Sequence, residues 1–174
     1  GLLPPARPRY LMGVGTPPDI LEAVGHGVDM FDCVIPTTLA WQGTAFTSTG
    51  RVRLTRMEHR PSAAPLAATC GCPTCHRHPR GYLHHLVKAD ETLGWHLLGI
   101  HNFAFYHRLM RDMRAAILRG DFAAFYERNR SELGRSDEEN VVHPVKKRHL
   151  PRVKHLGDYD IVTSPAGHAS IRQI

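Results

Sequence analysis

Apolar and polar positions along this chain switch between runs, alternation and helical spacing, and each switch marks a new element. "PRYLMGVG" (8–15) is a short apolar run closed by glycines, which predicts a buried strand ending in a tight turn. "TPPDILEAVGHG" opens a helix: Thr16 can cap it, Pro17 suits its first turn, and Asp19 follows the cap by three residues. Gly25 and Gly27 stop it. "VDMFDCVIP" (28–36) is a second apolar run and predicts a second strand. Strand, short helix, strand is the order of a parallel crossover unit.

Further on, "TAFTSTGRVRLTR" (44–56) alternates about Thr49-Gly50 and predicts a hairpin. "RPSAAPLAA" (60–68) reads as a loop, and residues 80–93 as an amphipathic helix. A second helix carries Ile100, Phe103, Tyr106, Met110, Met113 and Ile117, spaced three or four apart, a stripe expected to pack into the core. Gly120-Asp121 breaks it, and "FAAFYERNRSEL" begins another helix. Residues 134–155 are polar and read as a linker. "YDIVTSPAGHASIRQI" places a turn at Pro165-Ala166-Gly167 between two strand-like runs and stops abruptly, as expected of a piece of a longer chain. No internal repeat is evident.

One position disturbs this pattern. Asp32 sits inside the second apolar run, just before Pro36 ends it. Either its carboxylate is tied up structurally, or the strand delivers it to a site. Asp29 falls on the opposite face if the strand alternates, and reads as structural.

Charge adds a partner class. The 174 residues hold 22 Lys and Arg against 16 Asp and Glu, a net +6. That balance favours an acidic partner, nucleic acid first, and says nothing of fold. "HPVKKRHLPRVKH" (143–155) concentrates it, either as a solvated tail or as an arm contacting phosphates. No run of 18 apolar residues exists, so no membrane span is expected, and the first residues show no signal peptide.

Three of the four cysteines lie in "CGCPTC": Cys70, Cys72 and Cys75. That spacing is poor for disulfides and good for a metal, which makes a reducing, cytoplasmic setting the default. Gly71 and Pro73 let the backbone turn so that three thiolates can converge. Zinc takes four such ligands in a tetrahedron, so a fourth must come from elsewhere. Candidates are His76, His78, His84, His85, His96 and His101. The first two are too near in sequence to reach back easily, and His101 stands at the start of the second helix, where it could pin that helix to the cysteine loop. With no open position, such a site is structural; the alternative is three unligated thiols in a loop.

Taken together, "RYLMGVGTP", "GVDMFDCVIPT", "GTAFTS", "CGCPTC", "YLHHL" and "HNFAFYHRLM" give the chain a resemblance, over roughly residues 8 to 127, to the C-terminal half of the tRNA-guanine transglycosylases. The resemblance implies an α/β fold: an eight-stranded β/α TIM barrel, with residues 8–15 and 28–35 as its last two strands and a zinc subdomain inserted near its end. Residues 1–43 would then be the last two barrel units, 44–101 the hairpin and zinc subdomain, 102–133 the C-terminal helices, and 134–174 a basic linker and the start of a further segment. It implies Cys70, Cys72, Cys75 and His101 as ligands of one structural zinc ion. Asp32 becomes the nucleophile of a pentosyltransferase that exchanges guanine in a tRNA anticodon loop for a 7-deazaguanine base of the preQ1 or queuine type, the chemistry of queuosine biosynthesis. Chemistry at the C-terminal end of a strand suits such barrels, and a carboxylate trapping a sugar carbon follows the logic of retaining glycosidases. Met12, Gly13 and Gly15 match positions lining the base pocket. The family also commonly forms homodimers through the zinc region, where Tyr82, His84, His85 and Leu93 match, with Tyr82 and His85 favoured for the interface.

Two departures stand out. Where the family usually carries arginines that contact the anticodon loop, this chain has Thr38 and Trp41. Tryptophan could stack on an unpaired base instead. The first six barrel strands, with the family's general acid/base aspartate, are not in these residues, so the piece is expected to be inactive until its barrel is completed in cis or by another chain. Two other readings remain open: a zinc-stabilised RNA-binding subunit without activity, and a transglycosylase directed at DNA.

Overall fold

The computed structural model describes residues 3–4, 6–135, 159–163 and 169–173. The basic stretch 143–155 and the turn at Pro165-Ala166-Gly167 lie outside the described residues. The chain divides into two compact units, Gly1–Glu139 and Asn140–Ile174.

The first unit begins with a parallel strand pair. Strand β1 (Tyr10–Met12) pairs with β2 (Met30–Asp32) in the register Tyr10↔Met30, Leu11↔Phe31, Met12↔Asp32. Helix α1 (Pro17–Gly25) makes the crossover. Thr16 accepts from the Asp19 backbone N–H, as its cap position requires, and Pro17 fills the first turn, where a missing N–H costs nothing. Both strands are shorter than the apolar runs around them. Gly13, at φ 75°, turns the chain out of β1, and the second run leaves the sheet at Asp32 to become helix α2 (Ile35–Trp41). Pro36 lies in the first turn of α2 and so starts a helix instead of ending a strand.

A hairpin follows, β3 (Thr44–Thr47) against β4 (Gly50–Arg53), with Thr44↔Arg53 at its open end. Gly50, at φ 107°, enters the second strand. A short 3₁₀ turn (Met57–His59) and the loop over 60–69 lead to helix α3 (Pro73–Arg77) and then α4 (Arg80–Lys88). The amphipathic run 80–93 is split: Asp90 adopts the left-handed region at φ 63°, and a new helix begins two residues later.

That helix, α5 (Thr92–Arg119), has 28 residues, about 42 Å at 1.5 Å per residue. Gly120, left-handed at φ 77°, ends it, and α6 (Phe122–Gly134) folds back. Helix α5 serves two apolar clusters. Leu97 and Leu98 join Leu54, Leu66, Leu83, Leu86 and the three cysteines. Phe105, Leu109 and Met113 join Ile20, Leu21, Phe46 and Leu133. The buried stripe is therefore Leu98, Phe105, Leu109, Met113 and Ala116. The stripe expected from spacing alone is only partly buried: Met113 lies inside, Tyr106 and Met110 are half-buried, and Ile100, Phe103 and Ile117 face outward. Two overlapping apolar faces on one helix make the spacing ambiguous.

The second unit pairs β5 (Tyr159–Thr163) antiparallel with β6 (Ala169–Gln173), in the register Tyr159↔Gln173.

Candidate metal centre and carboxylate site

The cysteine loop closes on itself before it meets any helix. Cys70 N–H donates to Ala67 O, and Cys72 caps α3, its sulfur accepting from the Cys75 N–H at 3.5 Å. Thr74, fully buried, donates its hydroxyl to Leu97 O at 2.7 Å and ties α3 to α5. Cys70, Cys72 and Cys75 thereby face the third turn of α5, where His101 is buried. His101 is the tenth residue of α5 instead of standing at a helix start, because the helix begins at Thr92.

His101 Nδ1 stands 3.7, 3.6 and 3.3 Å from the sulfurs of Cys70, Cys72 and Cys75. All four candidate ligand atoms lie within 4.8 Å of one another. A tetrahedral zinc with sulfur at about 2.3 Å and nitrogen at about 2.0–2.1 Å spaces its ligand atoms about 3.5–3.8 Å apart, so the cluster fits that ion. The other ring nitrogen, Nε2, donates to Phe46 O at 2.8 Å, which fixes the tautomer that turns Nδ1 toward the thiols. Burial lowers the His101 pKa and holds the ring neutral, as a ligand must be. Burial pushes the Cys72 thiol up, and pushes Cys75 up to about 12 with help from the neighbouring thiols. Cys72 and Cys75 so disposed ionise only if a cation compensates them. The other histidine candidates lie outside the cluster: His76, His85 and His96 are exposed, the half-buried His78 stacks on Tyr82, and His84 is buried elsewhere, its Nδ1 donating to Leu54 O at 2.5 Å. That contact also buries His84, whereas Tyr82, His85 and Leu93 are each exposed.

Asn102, beside His101, is fully buried and was not evident as a candidate from the sequence. Its Oδ1 accepts from Phe46 N–H at 3.0 Å, and its Nδ2 donates to Pro36 O at 2.9 Å and Thr44 O at 3.2 Å. Consecutive residues of α5 thus hold both backbone groups of Phe46, and they cover the edge of β3 that faces away from β4. The only sequence signal was a polar residue adjoining a metal-ligand candidate on an apolar helix.

Asp32 is the last residue of β2 and is exposed. Its Oδ1 accepts from Tyr10 Oη at 2.6 Å and from Gly13 N–H at 3.4 Å, while Gly13 N–H also reaches Asp32 O at 3.1 Å. Among the described residues, hydrogen bonds reach Oδ1 alone. The hydrogen bond to Asp32 raises the Tyr10 pKa, so the phenol keeps its proton. Asp29, in contrast, accepts from Arg9 N–H at 2.8 Å through Oδ2, a contact that joins the starts of the two strands. Met12 and Gly13 lie beside Asp32, both exposed. Gly15 does not: it is buried, and a Cβ there would meet Cys33 Sγ at 1.7 Å, so glycine at 15 is a packing requirement. Thr38 and Trp41 are exposed on α2, and the Trp41 ring lies 6.3 Å from that of Trp95 on α5, a neighbour that spacing did not reveal. Among the described residues, no helix is long and apolar enough to cross a membrane.

The fold is mixed α/β: a buried Cys3His cluster that could hold a metal ion joins the cysteine loop to a long helix, and a parallel strand pair ends in an exposed carboxylate. Comparison with known proteins agrees and goes further. Residues 1–134 match the family described as queuine tRNA-ribosyltransferase, and the chain belongs to that family. Among its relatives, a queuine tRNA-ribosyltransferase of Novosphingobium aromaticivorans is 54% identical over 123 residues, 71% of this chain and 33% of the relative. One from Agrobacterium fabrum is 46% identical over 140 residues, 80% of this chain and 37% of the relative. One from Sorangium cellulosum is 50% identical over 139 residues, 79% and 34%. The chain spans about a third of the length of these curated relatives.

Proposed function

We propose that this chain is the C-terminal catalytic segment of a tRNA-guanine transglycosylase, with Asp32 as its nucleophile. The observation that carries the reading is a carboxylate at the C-terminal end of a parallel strand, exposed, with one oxygen held by Tyr10 and Gly13 and the other free of hydrogen bonds among the described residues. In this reading β1 and β2 are the last two strands of a β/α barrel, where chemistry belongs at the C-terminal strand ends. Residues 1–43 form those barrel units, 44–101 the zinc subdomain, 102–133 the closing helices, and 134–174 the entry to another segment.

The Asp32 carboxylate attacks C1′ of the target nucleotide. The C1′–N9 bond breaks, its electron pair leaves with guanine, and a general acid supplied by the upstream barrel protonates the base. A 7-deazaguanine then attacks C1′ through its own ring nitrogen, gives up that nitrogen's proton, and displaces Asp32 with its electron pair restored. The intermediate is a covalent ribosyl ester, as in retaining glycosidases. Tyr10 holds Oδ1, so Oδ2 is the attacking atom. Met12 and Gly13 border the site, where a thioether can lie over a flat heterocycle and a glycine lets backbone approach it. Gly15 packs the turn behind them. Cys70, Cys72, Cys75 and His101 would hold one zinc ion, which supplies structural cross-linking of the cysteine loop to α5. Tyr82 and His85 would contribute to a homodimer face.

Without the remaining strands the chain is expected to show no guanine exchange. Extended to the length of its relatives, it should form a covalent adduct with tRNA that survives denaturation and disappears in Asp32→Asn. Absence of an adduct in the active, zinc-loaded parent would overturn the reading. A second reading rests on one observation. Thr38 and Trp41 stand where the family usually places arginines, and the exposed Trp41 ring neighbours that of Trp95, which favours base stacking over phosphate contact. Such a surface suits a non-catalytic RNA-binding subunit or a DNA-directed relative. Adduct formation with a DNA oligonucleotide and none with tRNA would select the latter, and tight RNA binding with no adduct would select the former.

A further inference from the structure

The segments that follow β1 and β2 are both gripped by one face of α5. Asn102 Nδ2 donates to Pro36 O, four residues beyond Asp32, at 2.9 Å. Tyr106, one helical turn further on, donates its hydroxyl to Gly15 O at 2.5 Å, two residues beyond Gly13. The two gripped segments also touch, since no atom larger than hydrogen fits between Gly15 and Cys33 Sγ. Helix α5 is itself anchored at His101, next to Asn102, by the cluster of cysteines and by Phe46 O.

We propose that Asn102 and Tyr106 are positioning residues that hold Asp32 and the Gly13–Gly15 turn in register with the metal-anchored helix. Occupancy of the Cys3His site then sets the order of the carboxylate's surroundings, although the cysteines do not touch them. The catalytic meaning of this link rests on Asp32 being the nucleophile; the mechanical link does not need it. Each contact joins a buried or half-buried group on α5 to a backbone carbonyl, and an unmade bond there cuts that carbonyl's tie to α5. Tyr106 suits the role because burial raises its pKa and keeps the hydroxyl a donor. Asn102 suits it because its one amide reaches three backbone groups from α2 and β3.

Hydrogen exchange on the zinc-loaded chain tests the link without any substrate. In Asn102→Asp, which keeps the acceptor for Phe46 N–H and loses both donors, amides of residues 30–42 should exchange about tenfold faster. Zinc stoichiometry should stay at one, with amides of α4 unchanged. In Tyr106→Phe, which keeps the ring against Phe46, the acceleration should fall on residues 13–21. Chelating zinc from the parent should accelerate both segments together, and chelation from Asn102→Asp should add little at 30–42, since the link is already cut. Unchanged exchange at 13–21 in zinc-loaded Tyr106→Phe overturns the proposal, whether or not Asn102→Asp folds. So does parent exchange at 30–42 that ignores zinc removal. A tRNA adduct that forms while these segments prove uncoupled would sink this inference alone, and coupling without an adduct would sink only the assignment of Asp32.

Discussion

Around His101 the four residues of the cluster are buried, the cysteines 5–8% exposed and the histidine not at all, and side chains satisfy the nearby Phe46 N–H, Phe46 C=O and Leu97 C=O. Around Asp32 the situation reverses. Tyr10, Met12, Met30 and Val34 are among the most exposed large apolar side chains, and the sheet has two strands of three residues each. A region that completes its own core is a structural unit. One that leaves apolar side chains and sheet edges open is a surface made to meet more protein or a ligand. The chain joins the two kinds, and α5 is the seam between them.

Removing the metal should break the difference most severely. Structural zinc sites contribute about 10–16 kcal/mol of apparent binding energy that doubles as folding energy. Chelation or Cys75→Ser should therefore melt the region around 66–101, seen as loss of near-ultraviolet dichroism and of zinc stoichiometry. A Cys75→Ser chain that kept full zinc and native dichroism would count against the Cys3His site. Next in size is Asp32→Asn in the extended chain. It should abolish the covalent tRNA adduct, a loss of at least about a thousandfold, while the melting temperature moves little because the residue is exposed. Gly15→Ala comes third. Its methyl would overlap Cys33 Sγ, at a cost of about 1–3 kcal/mol in denaturant titration, and Cys33→Ala should recover part of it.

The smallest effect is a titration. Asp32 raises the Tyr10 pKa, so the hydrogen bond between them is fully present below pH 10.0 and is lost as pH climbs through the raised value. Asp32→Asn should let Tyr10 ionise closer to 10.0, read as the difference between phenolate absorbance in the parent and in Tyr10→Phe. No movement would mean that the phenol does not face Asp32 in solution.

Local chemistry made much of this legible from the residues. Thr16 and Asp19 announced the start of α1, Gly120 the end of α5, and the tight cysteine spacing a metal loop. Three things were not legible, for different reasons. The run 28–36 read as one strand because α2 opens with apolar residues, and Pro36 suits a helix start as well as a strand end. The outward-facing Ile100, Phe103 and Ile117 shared the helical spacing of the true core stripe. Asn102 was invisible because its importance lies in long-range carbonyls at 36 and 44, which no local pattern encodes. The carboxylate stood out only as a polar residue in an apolar run; its exposure at the strand end is a property of the fold.

The hydrogen bond from His101 Nε2 to Phe46 O has a practical consequence for anyone redesigning the centre. Exchanging the histidine for cysteine would offer an equally good soft donor to the ion, yet it would strand the hairpin carbonyl on the far side of the ring. Ligand identity and hairpin attachment are thus encoded by a single imidazole. A substitution planned purely by coordination chemistry would loosen β3 while leaving the ion content unchanged, a failure that elemental analysis would miss.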